Sequence, residues 1–259
     1  MKNLRFVLMF GFASGLILSS CSSYKDIPYF QNLDKSRVSR EDIENFTPIT
    51  IQPDDILGIS VSSLNPEASS VFNANLLTTD GTSNVNSNNP IIGYLVDQKG
   101  DIQLPLIGNV KVLGLNTSQL REQVKTKLLT YLKEPVVNIR ILNFKVSVMG
   151  DVGRPGIYQV QNERITLPEA ITLAGDLNIT ANRDDIWLIR ERDGKREYIP
   201  VDLTSKKLFN SPYYFLKNND LIYIQPGRAK YASVDNSYRN ISLVLSALSV
   251  VAIVLTRRY

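Results

Sequence analysis

Cys21 is the one thiol in a chain of 259 residues that has no histidine. Those two facts remove most of the chemistry a protein of this size performs. Without histidine there is no Ser-His-Asp or Cys-His catalysis and no His-ligated metal. With a single cysteine there is neither an intramolecular disulfide nor a thiolate cluster. The Asp and Glu residues are scattered and form no paired-carboxylate motif, so no catalytic, cofactor-binding or metal-binding residue is expected and the chain does not read as an enzyme. The remaining chemistry belongs to Cys21 as a site of modification.

Residues 1–20 carry Lys2 and Arg5, an apolar run from Phe6 to Leu18, and Ser19-Ser20 directly before Cys21. A charged start, a short apolar centre and small residues at the exit make a secretory signal. The run is shorter than the roughly 20 apolar residues of a spanning helix. Small residues before a lone cysteine resemble the lipobox of bacterial lipoproteins, which implies that Cys21 is acylated and becomes the first mature residue; the alternative is an ordinary cleaved signal with an incidental cysteine. Residues 21–47 are mostly polar and read as a tether to membrane lipid, with one short helix near Arg40–Phe46. The formal charge is +4. Removing Lys2 and Arg5 leaves 27 − 25 = +2, and Arg257-Arg258 supply that remainder. The body is near neutral and lacks the clustered cations of a nucleic-acid surface.

The elements behind this anchor predict an α+β fold. In residues 48–142, Ile49–Ile51 and Ile56–Val61 read as strands joined at Pro53-Asp54-Asp55, with Leu57, Ile59 and Val61 on one face. Residues 62–90 are rich in Ser, Asn and Thr and read as a long surface loop. Strands at 93–96, 102–104 and 110–112 follow. Leu120, Val124, Leu128 and Leu132 then recur every four positions behind a cap at Asn116 or Thr117, which predicts a helix ended by Pro135. Val137, Ile139 and Ile141 close the unit as a strand. In residues 144–226, Lys145–Met149 and Ile157–Val160 flank a Gly-rich connection. Thr166 and Glu169 make a capping box with Pro168 in the first turn, and Gly175 ends that helix. Asp193-Gly194 predicts a hairpin between Ile186–Arg192 and Lys195–Val201, and Tyr213–Leu216 and Leu221–Ile224 read as late strands. Backbone geometry is the favoured reading of Gly150, Gly153 and Gly156 over ligand contact. For Trp187, core or interface packing is favoured over stacking on a sugar.

Residues 227–259 hold a linker and a membrane-spanning helix. Ile241–Leu255 is apolar apart from serines and would extend about 22 Å, or roughly 35 Å if continued from Val234. Arg239, Ser242, Ser246, Ser249 and Thr256 fall on one polar stripe. Three readings compete: small residues for close helix packing, a tail anchor in the inner membrane with Arg257-Arg258 inside, or a stripe that lines a wet pore.

Ile51-Gln52-Pro53-Asp54-Asp55-Ile56-Leu57 resembles the opening motif of the Wza-like outer-membrane polysaccharide export proteins, and Val96 to Gly108 is similar to their V-D-x-x-G-x-I-x-L-P-x-I-G signature. One departure is Asp54, where the family has glycine, a residue that takes positive φ more readily. Val148 to Gly156, Glu169 to Gly175 and Asn219 to Pro226 resemble an SLBB domain, a soluble ligand-binding β-grasp. The resemblance implies a homo-oligomeric ring at the outer membrane, lipid-anchored with its body in the periplasm. That ring would pass capsular or other exported polysaccharide, driven by an inner-membrane polysaccharide co-polymerase or tyrosine-kinase-type partner. The alternative is a monomeric, membrane-tethered glycan-binding β-grasp module.

Overall fold

A computed structural model describes residues 27–34, 36–43, 45, 48–76, 93–192, 194–234 and 237–257. The signal segment, Cys21 and residues 77–90 of the loop predicted at 62–90 lie outside the described residues.

Two sheets organise the chain. In the first domain β1 (Ile56–Ser62) is followed by α1 (Pro66–Ser70), a 3-10 turn at Val71–Leu76, β2 (Tyr94–Leu95), β3 (Asp101–Leu104), β4 (Gly108–Lys111), α2 (Thr117–Leu128) and β5 (Val136–Ile141). β1 lies between β2 and β5, antiparallel to both, and β3 and β4 form a separate hairpin. Alternation drives this arrangement: Leu57, Ile59 and Val61 are buried, and Leu120, Val124 and Leu128 of α2 close over them. Each such side chain removed from water contributes about 1.5–3 kcal/mol. α2 begins at a reciprocal cap, in which the Asn116 side chain accepts from the Gln119 backbone and the Gln119 side chain accepts from the Asn116 backbone.

The second domain runs through β6 (Lys145–Gly150), β7 (Gly156–Gln159), α3 (Leu167–Leu173), β8 (Ala181–Arg192), β9 (Lys195–Val201), a 3-10 turn at Lys206–Asn210 and β10 (Leu221–Pro226). Its sheet has the order β7-β6-β10-β8-β9, with β10 parallel to β6 and antiparallel to β8. α3 carries the expected capping box between Thr166 and Glu169, and its buried Leu167, Ala170 and Ile171 pack on Val146, Val148, Ile222 and Ile224. At Gly150, with φ of 103°, an added Cβ would collide with the Ile224 carbonyl oxygen. β6 and β10 therefore meet there only as bare backbone, as the backbone-geometry reading requires.

Several expectations need correction. Ile49–Ile51 is not a strand: proline at 48 and 53 removes donors on either side, and Ile51 makes only two rungs, with Leu115 and Gly114. Tyr213–Leu216 is not a strand either. It pairs only through one isolated bridge, to Thr166 at the cap of α3, and spends its aromatics on a side-chain cluster. The predicted loop after β1 instead starts with α1, capped by Asn65, and buries Phe72. The short helix near 40–46 is absent from residues 40–43 and 45, where the Asn45 amide donates to the carbonyls of Phe209 and Ser211 at 2.7 Å each.

Residues 27–45 are not a free tether. Phe30 N–H donates to Leu203 O at 3.1 Å, Gln31 N–H to Thr204 O at 2.6 Å, and Lys206 N–H to Asn32 Oδ1 at 2.6 Å. Phe30, Phe209 and Tyr214 stack in series at 4.7 and 5.6 Å. This segment straps the second domain.

The chain leaves through α4 (Arg228–Val234) and α5 (Ser237–Arg257). Among the described residues no helix is long and apolar enough to cross a membrane, so the expectation of a membrane-spanning helix at the C-terminus is not met on them. Among the side chains of α5, those from Asn240 to Val251 are described without interruption. Their apolar members, including Leu243 and Leu248, stand exposed.

Asp220 and Arg190 are both buried and paired, Nε to Oδ1 at 2.9 Å and Nη2 to Oδ2 at 2.6 Å. Asp220→Ala leaves the guanidinium unpaired and is expected to cost about 3–5 kcal/mol in denaturant unfolding. Glu191→Ala, which removes the solvent-exposed partner of Arg196, should leave the midpoint unchanged.

Candidate functional site

The motifs singled out in the sequence converge where the two domains join. The Pro53–Asp55 turn brings a buried carboxylate, Asp55, to the end of β1. One of its oxygens accepts from Gln52 N–H at 2.9 Å and the other from the Asn218 amide at 2.6 Å. Asn218 belongs to the turn before β10, and its own oxygen accepts from Lys145 N–H at 3.0 Å. Asn143, between β5 and β6, accepts from Ile56 N–H and donates to Asp54 O, both at 2.9 Å. Asp54 has φ of 69°, so the position where the resembled family carries glycine does adopt the left-handed conformation. Asp tolerates it because its carboxylate takes the Gln98 amide at 3.0 Å.

Burial pushes the Asp55 carboxyl above the usual range. The Gln52 and Asn218 donors oppose that rise, while the charge of Asp54 adds to it. A carboxylate held this way is a structural latch, not a poised base, because both its oxygens are already committed. Thr117 Oγ1 adds a contact to Glu163 at 3.2 Å across the same joint.

Beside this latch a groove of about 850 Å³ lies between the domains, lined by Pro48, Asn116, Ser118, Arg140, Gln161 and Arg164 among others. Its lining offers amide, hydroxyl, carboxylate and guanidinium groups beside the apolar Ile49, Ile141 and Phe144. Such a surface can hydrogen-bond a polar polymer. Among the described residues no group of three or more Cys, Asp or Glu could hold a metal ion.

A second buried carboxylate, Asp151 in the Gly-rich connection, roots the C-terminal segment. It accepts from the Thr180 hydroxyl, from the Asn178 amide at 2.8 Å and from Lys230 Nζ of α4 at 3.2 Å. Burial works to raise its pKa, but those three donors and the charge of Lys230 outweigh it and hold the carboxyl below the usual range. Close by, Tyr29 of the strap donates to Asp176 Oδ1 at 2.6 Å and lies under the Arg183 guanidinium. Burial, then the Asp176 contact, pushes its phenol up to about 12.

Of the stripe residues, Ser242, Ser246 and Ser249 share one face of α5. The Ser246 hydroxyl donates to Ser242 O at 2.8 Å and the Ser249 hydroxyl to Ser246 O at 2.7 Å, so both protons are satisfied within the helix. The side chains of Arg239 and Thr256 lie outside the described residues, as does Cys21. Sequence reasoning missed the strap and the partners of Asp55. The Tyr29-Phe30 pair in a polar stretch was the available signal for the first; nothing local marked the second.

Two outcomes follow from the carboxylates. In a double-mutant cycle Asp55→Ala and Asn218→Ala should show a coupling of about 0.5–3 kcal/mol. The folded pKa of Asp151 is depressed, so the stability it contributes is present above the ordinary carboxylate range and lost as pH falls through its folded value. The thermal midpoint of Lys230→Met should therefore lie below that of the wild type at neutral pH, and the gap should close on acidification.

Residues 44–142 match the family described as polysaccharide biosynthesis/export protein, and residues 145–200 match the SLBB domain. The chain is 28% identical over 137 residues to the EPS I polysaccharide export outer membrane protein EpsA of Ralstonia solanacearum, covering 52% of this chain and 36% of that protein. It is also 28% identical over 138 residues to the EpsA of Ralstonia nicotianae, with the same coverage. The chain thus spans about a third of the length of the curated relatives it matches. The latch ties together the two regions those families describe: the chain carries a polysaccharide biosynthesis/export domain followed directly by an SLBB domain.

Proposed function

We propose that this chain is a subunit of an outer-membrane export conduit for capsular or other secreted polysaccharide. In this reading Cys21 is acylated, the two domains stand in the periplasm, and copies assemble as a homo-oligomeric ring whose α5 helices enclose a lumen. The observation that carries it is the latch: Asp55, in the export-domain motif, is fixed to the second domain through Asn218, beside a groove that offers hydrogen-bonding groups. The names of the relatives support polysaccharide as the cargo and the outer membrane as the place. One helix cannot enclose a channel, so oligomerisation is a physical requirement. Transport is passive, with an inner-membrane co-polymerase or tyrosine-kinase-type partner supplying direction. Ser242, Ser246 and Ser249 line the lumen together with Arg239 and Thr256.

A second reading, a monomeric tethered module that binds glycan, is favoured by the absence among the described residues of a helix able to cross a membrane.

Labelling separates the two. Single cysteines at Ser242, Ser246 and Ser249 should react with a membrane-impermeant thiol reagent, while those at Val244, Leu248 and Val251 stay protected. Ser246→Arg should hinder passage of polymer without preventing assembly, since a wet lumen solvates the charge, whereas a lipid-facing charge costs about 2.5–3.5 kcal/mol. Equal reactivity on both faces of α5 would sink the conduit. The anchor has its own test: Cys21→Ala should abolish incorporation of a radioactive fatty acid, and persistent labelling would refute acylation at this residue.

A further inference from the structure

The five-stranded sheet buries one face and leaves Trp187, half-buried, on the other. Along β8 the buried face changes character. Side chains on one face recur every second residue, so Ile186 and Leu188 of the core are followed on it by Arg190 and Arg192. On β9 the same step leads from Ile199, opposite Leu188, to Glu197, opposite Arg190. The aliphatic core therefore ends in a cationic margin. A pocket of about 300 Å³ opens there, with Arg190, Arg192, Glu197, Tyr213, Phe215 and Lys217 in its wall. Arg190 is already committed: it pairs with Asp220 at 2.9 and 2.6 Å and lies over the Tyr213 ring, 5.6 Å from the centroid. Lys217 is half-buried, and its ammonium has no hydrogen-bond or ion-pair partner among the described residues. Burial, then the charges of Arg190 and Arg192, lower its pKa against the pull of Asp220 and Glu197.

We infer that this pocket receives an acidic sugar unit of the exported polymer, a single pyranose ring that carries a carboxylate. The inference rests on the conduit reading for the polymer and adds a binding site to it. Charge selects the acid. With Arg190 held by Asp220, Arg192 and Lys217 share the described wall with one carboxylate, Glu197, and positive charge is in excess. A carboxylate brought between them replaces repulsion with charge-assisted hydrogen bonds, which a neutral sugar cannot make. The rest of the wall selects a ring over a bare anion. Ile49, Pro212, Tyr213 and Phe215 offer apolar surface against which the C–H face of a pyranose can be buried. A phosphate ion presents only oxygen and would lose water there without return. Size limits the occupant to one unit, since this volume lies at the lower end for ligand pockets. Pro48 and Ile49 line this pocket and the larger interdomain groove alike, so a polymer lying in the groove can present one unit here.

The test is a saturation-transfer NMR titration of the full chain in detergent with cellobiouronic acid and with cellobiose. These disaccharides differ only in a carboxylate that replaces a hydroxymethyl group. The acid should bind tighter by about tenfold or more. Lys217→Gln and Arg192→Gln should each remove most of that preference with circular dichroism retained, and Lys217→Arg should keep it. Lys207→Gln, which removes an exposed charge outside the pocket, should leave it unchanged. If Lys217→Gln does not fold, Arg192→Gln, at the exposed end of β8, carries the comparison. Equal affinity for the two disaccharides, binding of neither, or a preference that survives both substitutions overturns the site. The labelling pattern on α5, which neither substitution touches, then decides the conduit reading by itself. An equal loss in Lys207→Gln overturns the site in favour of general charge attraction. Inorganic phosphate that competes as well as the acid overturns it in favour of a plain anion site.

Discussion

A carboxylate withdrawn from water is tolerated only when every lone pair finds a donor, and Asp220 meets that demand with Arg190 on one side and the Lys217 backbone at 2.8 Å on the other. The rest of the molecule inherits its geometry. The backbone carbonyl of Asp220 takes Ser147 N–H at 2.9 Å, which aligns β6 with β10, while the guanidinium ties β8 to the same point. Two residues earlier in that turn, Asn218 reaches Asp55 and Lys145. The angle between the domains is thus fixed by a turn whose own shape is set by a buried ion pair. The same crowding acts on Lys217, whose pKa is lowered by burial and by the charges of Arg190 and Arg192, against the pull of Asp220 and Glu197.

Local signals carried the elements well. Period-two and period-four spacing placed β1, β5, α2 and the core residues on them, and the two caps were readable because Asn116 and Thr166 stand three residues before Gln119 and Glu169. What escaped is non-local or negative. The pairing of Asp55 with Asn218 joins residues 163 apart, and no window of sequence contains both. Ile49–Ile51 and Tyr213–Leu216 have strand-like composition, yet a strand needs a neighbour with a free edge, and that depends on where the whole sheet ends. Trp187 shows the limit from the other side: its alternation with Ile186 and Leu188 placed it in a strand but gave no sign that its face would be the open one.

The candidate site was legible as motifs and not as a mechanism. The Asp54-Asp55 segment and the run from Asn219 to Pro226 stood out as two separate family signatures, with Asn218 just before the second. Their physical role, a joint in which each domain satisfies the other's buried polar groups, needs both domains in place. A latch of this kind makes the pair fold and hold as one body, because removing either member strands a buried donor or acceptor in the other.

The loop 176–180 and the first residues of β8 carry a further consequence. They receive Tyr29 from the N-terminal strap through Asp176 and Arg183, and the root of α4 through Thr180, whose carbonyl accepts Gly227 N–H at 2.7 Å. Both ends of the chain therefore leave from one pole of the second domain. Between Cys21 and Pro28 there are seven peptide steps, which can extend no more than about 25 Å. A lipid on Cys21 would hold that pole within less than a bilayer's thickness of the surface. Tension drawn on either end would be borne by the second domain, and the export domain, beyond the latch, would swing as the free end of a short lever.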